Sequence, residues 1–129
     1  MHTGSSHGNV GNSPFEYKTS IFDALSDSAL YYHDLPNAVL INSSTWNRLF
    51  RTKTKYLHVD DFFGDLARGK LKKYSFIEPC FFDNQEKGIM ANDQHPPHHV
   101  LGGEKLILRV YDALMKQMDL FGKTLLDCV

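Results

Sequence analysis

Hydrophobic positions divide the chain into short helical and extended blocks. Ile21, Phe22 and Leu25 share one face of a helix over Thr19–Asp27, which Thr19 or Ser20 can cap. Ala29–His33, rich in Tyr, predicts a short strand, and Asp34-Leu35-Pro36-Asn37 breaks it. Residues 38–50 read two ways: Val39, Leu40 and Ile41 can begin a helix, and Trp46, Leu49 and Phe50 form a second apolar patch at helical spacing. From Val59 the pattern sharpens. Asp60 or Asp61 caps a helix carrying Phe62, Phe63, Leu66 and Ala67, with Gly69 as its stop. Lys72–Glu78 predicts a strand bulked by Tyr74, Phe76 and Ile77. Glu104–Met118 carries a stripe of Leu106, Val110, Ala113, Leu114 and Gln117, with Ile107, Tyr111 and Met118 beside it. Phe121-Gly122 ends that helix, and Lys123–Leu126 begins a further strand.

Helices alternating with strands predict right-handed βαβ connections and a parallel sheet, hence an α/β fold. Parallel sheets are covered by helices on both faces. Three strands are few for that architecture, so the expectation is a single incomplete domain over residues 1–129, part of something larger. Neither repeats nor an interdomain linker interrupt it.

Between the strand ending at Glu78-Pro79 and the helix opening at Gly102-Gly103-Glu104 lies a polar loop, residues 79–101, rich in Asp, Asn and His. Loops of that length inside a compact domain are uncommon and usually functional or disordered. In open α/β sheets, ligands bind beyond the carboxyl ends of strands, where this loop would sit.

Composition removes some alternatives. The 129 residues are 42% hydrophobic and 22% charged, with a formal net charge of −1. No basic excess points to nucleic acid, and no apolar run approaches the roughly 20 residues of a transmembrane span. The N-terminus has no signal-peptide apolar core, and its Gly, Ser, Asn and His content makes residues 1–18 a flexible leader. Cys80 and Cys128 lack the spacing of a zinc site, and a buried free thiol is the default reading.

Within the loop, His95 lies in Asn92-Asp93-Gln94-His95-Pro96-Pro97. The prolines stiffen the backbone that follows it. A His so held can donate to a phosphoryl oxygen or protonate a leaving group, with Asp93 orienting it. A surface turn built from turn-forming residues is the plainer alternative. His98 and His99 extend the cluster; their spacing alone does not make a metal site, and a solvated or helix-capping role fits them better. Glu78 ends a strand facing the loop, where it can assist a site or accept backbone amides. Trp46, Phe62, Phe63, Phe76, Phe81 and Phe82 read mostly as core, with a lipid-facing pocket as the alternative. Arg51-Lys53-Lys55 and Lys70-Lys72-Lys73 read as solvated faces.

The blocks SFIEP, NDQHPP, GEKLI and VYDAL, in this order and spacing, resemble the phosphoesterase family, which includes non-specific phospholipases C and certain acid phosphatases. KTSIFDAL, YYHDLP, DDFFGDLARGKL and KTLL resemble further blocks of that family, and TGSSHGNV resembles its segment ending in Ser-His-Gly. The resemblance covers almost the whole chain. It implies a partial alkaline-phosphatase-like three-layer α/β/α fold and hydrolysis of a phosphate ester or phospholipid by metal-assisted attack of a Ser or Thr hydroxyl. It places Ser5 as nucleophile, with Ser6 adjacent; His95 and Asp93 as catalytic; and His7, Asn92 and Glu78 at the substrate. Read from composition alone, Ser5 is part of a flexible terminus. Complete members carry a Glu-Asn pair before these blocks and an Asp-Glu pair after them as ligands for a divalent metal. Both pairs are missing here, so the expectation is a fragment that binds no metal and has little activity alone, or a remnant that binds a phosphorylated ligand or partner protein. Relatives are often secreted, which leaves the compartment of this chain open.

Overall fold

The computed structural model describes residue 8, residues 20–40 and residues 55–128, apart from the side chains of residues 39 and 40. Three parallel strands form the sheet: β1 Ser28–Tyr32, β2 Lys55–His58 and β3 Tyr74–Ile77, in the order β2-β1-β3. Ala29 pairs with Lys55 on one side and Ser75 on the other, and Tyr31 with Leu57 and Ile77. β1 is central, and its Ala29, Leu30 and Tyr31 are almost fully buried. A parallel sheet covered on both faces forces such a strand to be apolar throughout.

Helix α1 spans Ile21–Ala24, shorter than its sequence pattern predicts. Asp23 Oδ2 closes its first turn, accepting from the Ser20 N–H at 2.7 Å and the Ser20 hydroxyl at 2.9 Å. Its Phe22 ring packs edge-on against Tyr74 and Phe76 on one face of the sheet. Helix α2 is a single turn, Asn37–Leu40. Helix α3, Val59–Ala67, is capped by His58, whose Nδ1 accepts from the Asp60 N–H; neither Asp60 nor Asp61 is the cap. Gly69, at φ +63°, lets the chain leave α3 in the left-handed conformation that other residues resist. Helix α4 spans Val100–Met115, beginning four residues earlier than its periodicity predicts because His99 caps it: His99 Nδ1 accepts from the Leu101 N–H. It stops at Met115, and a separate turn, α5 (Met118–Phe121), follows.

The core joins Ala29 and Tyr31 of β1 to Phe62 and Leu66 of α3 and Val110 and Leu114 of α4. Tyr31 stacks edge-on against Phe62 with centroids 5.4 Å apart. Its hydroxyl reaches out of the apolar layer to donate to Asp65 at 3.1 Å. Arg68 beside Asp65 holds that carboxyl below the usual range, and Tyr31 contributes in the same direction. Asp27 organises the entry to β3. Its carbonyl accepts from the Tyr74 N–H, and its carboxylate accepts from the Lys73 N–H and pairs with Lys72 at 2.8 Å.

One expected strand is absent and one unexpected strand is present. Lys123–Leu126 forms no strand; the segment is irregular and Leu125 is almost fully exposed. Strand β2 was not legible: Lys55, Tyr56, Leu57 and His58 have exposed ends and only a half-buried middle. The patch around Trp46 lies outside the described residues. Of the other aromatics, Phe62 is core, whereas Phe82 is 63% exposed. No helix among the described residues is long and apolar enough to cross a membrane.

Candidate active site

All three strands run the same way, so their carboxyl ends bring His33-Asp34, His58 and Glu78 to one edge. The 79–99 segment is built on this edge and held by a set of side-chain and backbone hydrogen bonds. Asp34, immediately after β1, accepts the Phe81 and Phe82 N–H groups on Oδ2 at 2.8 and 2.9 Å. Asn92 and Cys80 close the segment by two reciprocal bonds of 2.7 and 2.9 Å. Inside it, Asp83 accepts the Ala91 N–H at 2.7 Å, and Asn84 and Ile89 form an antiparallel bridge around a 3₁₀ turn, Gln85–Lys87. Most of these side chains are Asp or Asn, whose short polar groups satisfy nearby amides that have no strand or helix partner.

The Asn92–Pro97 bend then lies against the start of α4. Gly102 and Gly103 make this approach possible. A Cβ at Gly102 would stand 3.1 Å from the Ala91 carbonyl oxygen, and one at Gly103 would stand 2.7 Å from Gln94 Cδ. Gln94 adopts φ +60° and donates from Nε2 to the Val100 carbonyl. Such a φ is uncommon outside glycine. It reverses the chain so that Asp93 meets His98 five residues later.

That meeting is the chemical centre of the loop. Asp93 Oδ1 lies 2.6 Å from His98 Nδ1, with the side chains only 11% and 20% exposed. A carboxylate only accepts, so Nδ1 carries the proton and Nε2 is the nitrogen left for other work. Asp93 also lies 3.4 Å from the His95 N–H, but it does not touch the His95 ring. That ring is exposed, and its Nδ1 donates to the Pro96 carbonyl at 2.7 Å. The expected Asp93–His95 ring pair is therefore replaced by Asp93–His98.

The other expected residues fall as follows. Ser5 and His7 lie outside the described residues. The Asn92 amide oxygen is occupied by Cys80. Glu78 is 3% exposed, and its two oxygens accept the Asn37 and Ala38 N–H groups, each at 2.7 Å, at the start of α2. Burial pushes its carboxyl up to about 7, against the two N–H bonds that hold it down. Burial likewise raises the Cys80 thiol, which keeps it protonated and unsuited as a nucleophile. Sequence reasoning passed over Asp34. Its signal was position: a carboxylate directly after a buried strand. His98 reads from sequence as solvated or helix-capping, because nothing in residue type pairs it with Asp93.

Among the described residues no three His, Cys, Asp or Glu side chains converge as a metal site would require. The described residues therefore do not fit the divalent metal that the resemblance implies, and no chemical step is assigned through one.

Parallel strands, helices on both faces and a polar loop built on the carboxyl edge define an α/β protein. The Phosphoesterase family profile matches residues 9–126, and the chain belongs to that family. It is 35% identical over 127 residues to non-specific phospholipase C6 of Arabidopsis thaliana, and 32% and 34% identical to the C1 and C4 proteins of the same plant. Each match covers 88% of this chain, whereas the chain spans only 22–23% of these relatives.

Proposed function

We propose that the 79–99 loop is the phosphoryl-handling part of a phosphoester hydrolase site of the phospholipase C kind, within an alkaline-phosphatase-like architecture. The observation that carries this reading is the mostly buried Asp93–His98 pair, in the loop that the Asn92–Cys80 clamp ties to the end of β3. The names of the relatives supply the substrate class, a phosphodiester such as a phospholipid headgroup. Ser5, with Ser6 beside it, provides the attacking hydroxyl, and His95 offers Nε2 toward a phosphoryl oxygen. Asn92 and Glu78 act indirectly, by fixing the loop and the start of α2.

The chain spans under a quarter of its relatives. The 129-residue chain tested by itself is expected to bind phosphate esters and to turn them over poorly. Calorimetric titration of the purified 129-residue chain with phosphocholine, with and without a divalent metal, tests binding. Release of phosphate or phosphocholine tests turnover. Saturable binding with little release is expected. Metal-dependent release abolished by Ser5→Ala would overturn the expectation of poor turnover, and absence of binding in every condition would overturn the phosphoester reading.

A further inference from the structure

We infer that His98, oriented by Asp93, is the proton-transfer residue of this site, and that His95 is not. This deepens the phosphoester reading and rests on it. Both rings leave Nε2 available, but their supports differ. His95 is exposed and its ring is tied only to the neighbouring Pro96 carbonyl, a neutral acceptor in the same bend. His98 is mostly buried and bonded at 2.6 Å to a carboxylate that is itself mostly buried. A carboxylate in that place fixes the tautomer and the orientation of the ring, which a peptide carbonyl of the same exposed bend does far less.

The framework around the pair is specific. Gln94 is turned into the left-handed region and packed across Gly103, and the His98 N–H donates to the His95 carbonyl at 2.8 Å. The reversal is held at both ends, so Asp93 and His98 are preorganised rather than brought together by substrate. A surface turn of the same residues would need none of this.

The step is a proton transfer at the leaving oxygen. As the hydroxyl oxygen bonds to phosphorus and its proton passes to solvent, the bond from phosphorus to the leaving oxygen breaks. The electron pair stays on that oxygen, and the Nε2 proton of the His98 imidazolium joins it to give the free alcohol. The neutral ring then takes a proton from the water that attacks the phosphorylated enzyme; the serine oxygen leaves with the old bond pair and is protonated by solvent.

The test is long-range ¹H–¹⁵N spectroscopy of the ¹⁵N-histidine-labelled full chain, titrated with inorganic phosphate. The expected result is an Nδ1–H tautomer at His98 and a saturable phosphate-dependent shift of its Nε2. Asp93→Asn, checked for a native amide spectrum, should scramble the tautomer and weaken phosphate binding about tenfold, the equivalent of one charge-assisted hydrogen bond. A pair that only braces the loop would show the tautomer without the phosphate-dependent shift, and that outcome overturns the inference. Phosphate binding that moves only His95 also overturns it, while leaving the phosphoester reading intact. No saturable binding overturns both.

Discussion

Asn92 and Cys80 are joined twice: the Asn92 side-chain oxygen accepts the Cys80 N–H, and the Asn92 N–H donates to the Cys80 carbonyl. The pair closes residues 80–92 into a cycle at the end of β3, and Asp34 pins the first arm to β1. Asn92→Ala removes one acceptor and leaves the N–H of a buried residue without its partner. A cost of about 1–3 kcal/mol is expected, confined to the loop. Hydrogen exchange checks it: amides of residues 80–92 should exchange at least tenfold faster while those of β1 keep their protection.

Asp34→Ala should act on the same segment from the other side. Its Oδ2 serves two backbone donors, so the loss should equal or exceed that of Asn92→Ala, again about 1–3 kcal/mol. Asp34→Asn retains an acceptor oxygen and should recover part of the difference. Urea unfolding of Asp34→Ala and Asp34→Asn checks this; equal losses in these two would mean that the side-chain oxygen is not the source.

The parts legible in the sequence were those whose signal is local. Leu106, Val110, Ala113 and Leu114 mark the buried side of α4, and the dense apolar run in β1 marks a strand covered on both sides. The parallel sheet followed from alternation of element types. What escaped depends on partners distant in sequence. β2 exists because β1 lies beside it, not because Lys55, Tyr56, Leu57 and His58 favour extension. Leu125 and Leu126 look like a strand, yet among the described residues they have none to pair with. The loop was found by its composition and position; its internal wiring was not, because Asp93 reaches His98 only through a backbone reversal that residue types do not announce.

Gly103→Ala separates loop docking from helix stability. Replacing a helical glycine contributes up to about 1 kcal/mol of helix propensity. The new methyl, however, occupies the space of the Gln94 side chain. The expected outcome is unchanged or slower exchange within α4, faster exchange across residues 92–98, and weaker Asp93–His98 coupling seen as a mixed His98 tautomer. Slower exchange in both regions would show that Gln94 repacks without cost.

Glu78 gives the fold a pH dependence of definite sign. Its ordinary carboxyl value of 4.5 is raised to about 7 by burial, with the nearby Asp34 carboxylate adding to the rise. Between those values the folded chain holds a proton that the unfolded chain has released. Stability from this group is therefore complete below about pH 4.5 and is lost as pH rises through 7. The span of the shift corresponds to a loss on the order of 3 kcal/mol. The loss should register where Glu78 meets the Asn37 and Ala38 N–H groups. Glu78→Gln removes the titration at the expense of one acceptor, so it should start with a fixed stability deficit that narrows as pH rises. Only the contribution of Glu78 is wanted, so the measurement is the difference between the two proteins in urea-unfolding free energy from pH 4.5 to 8. Parallel curves would show that the Glu78 carboxyl titrates alike in the folded and unfolded chains, and that its two backbone hydrogen bonds offset its burial.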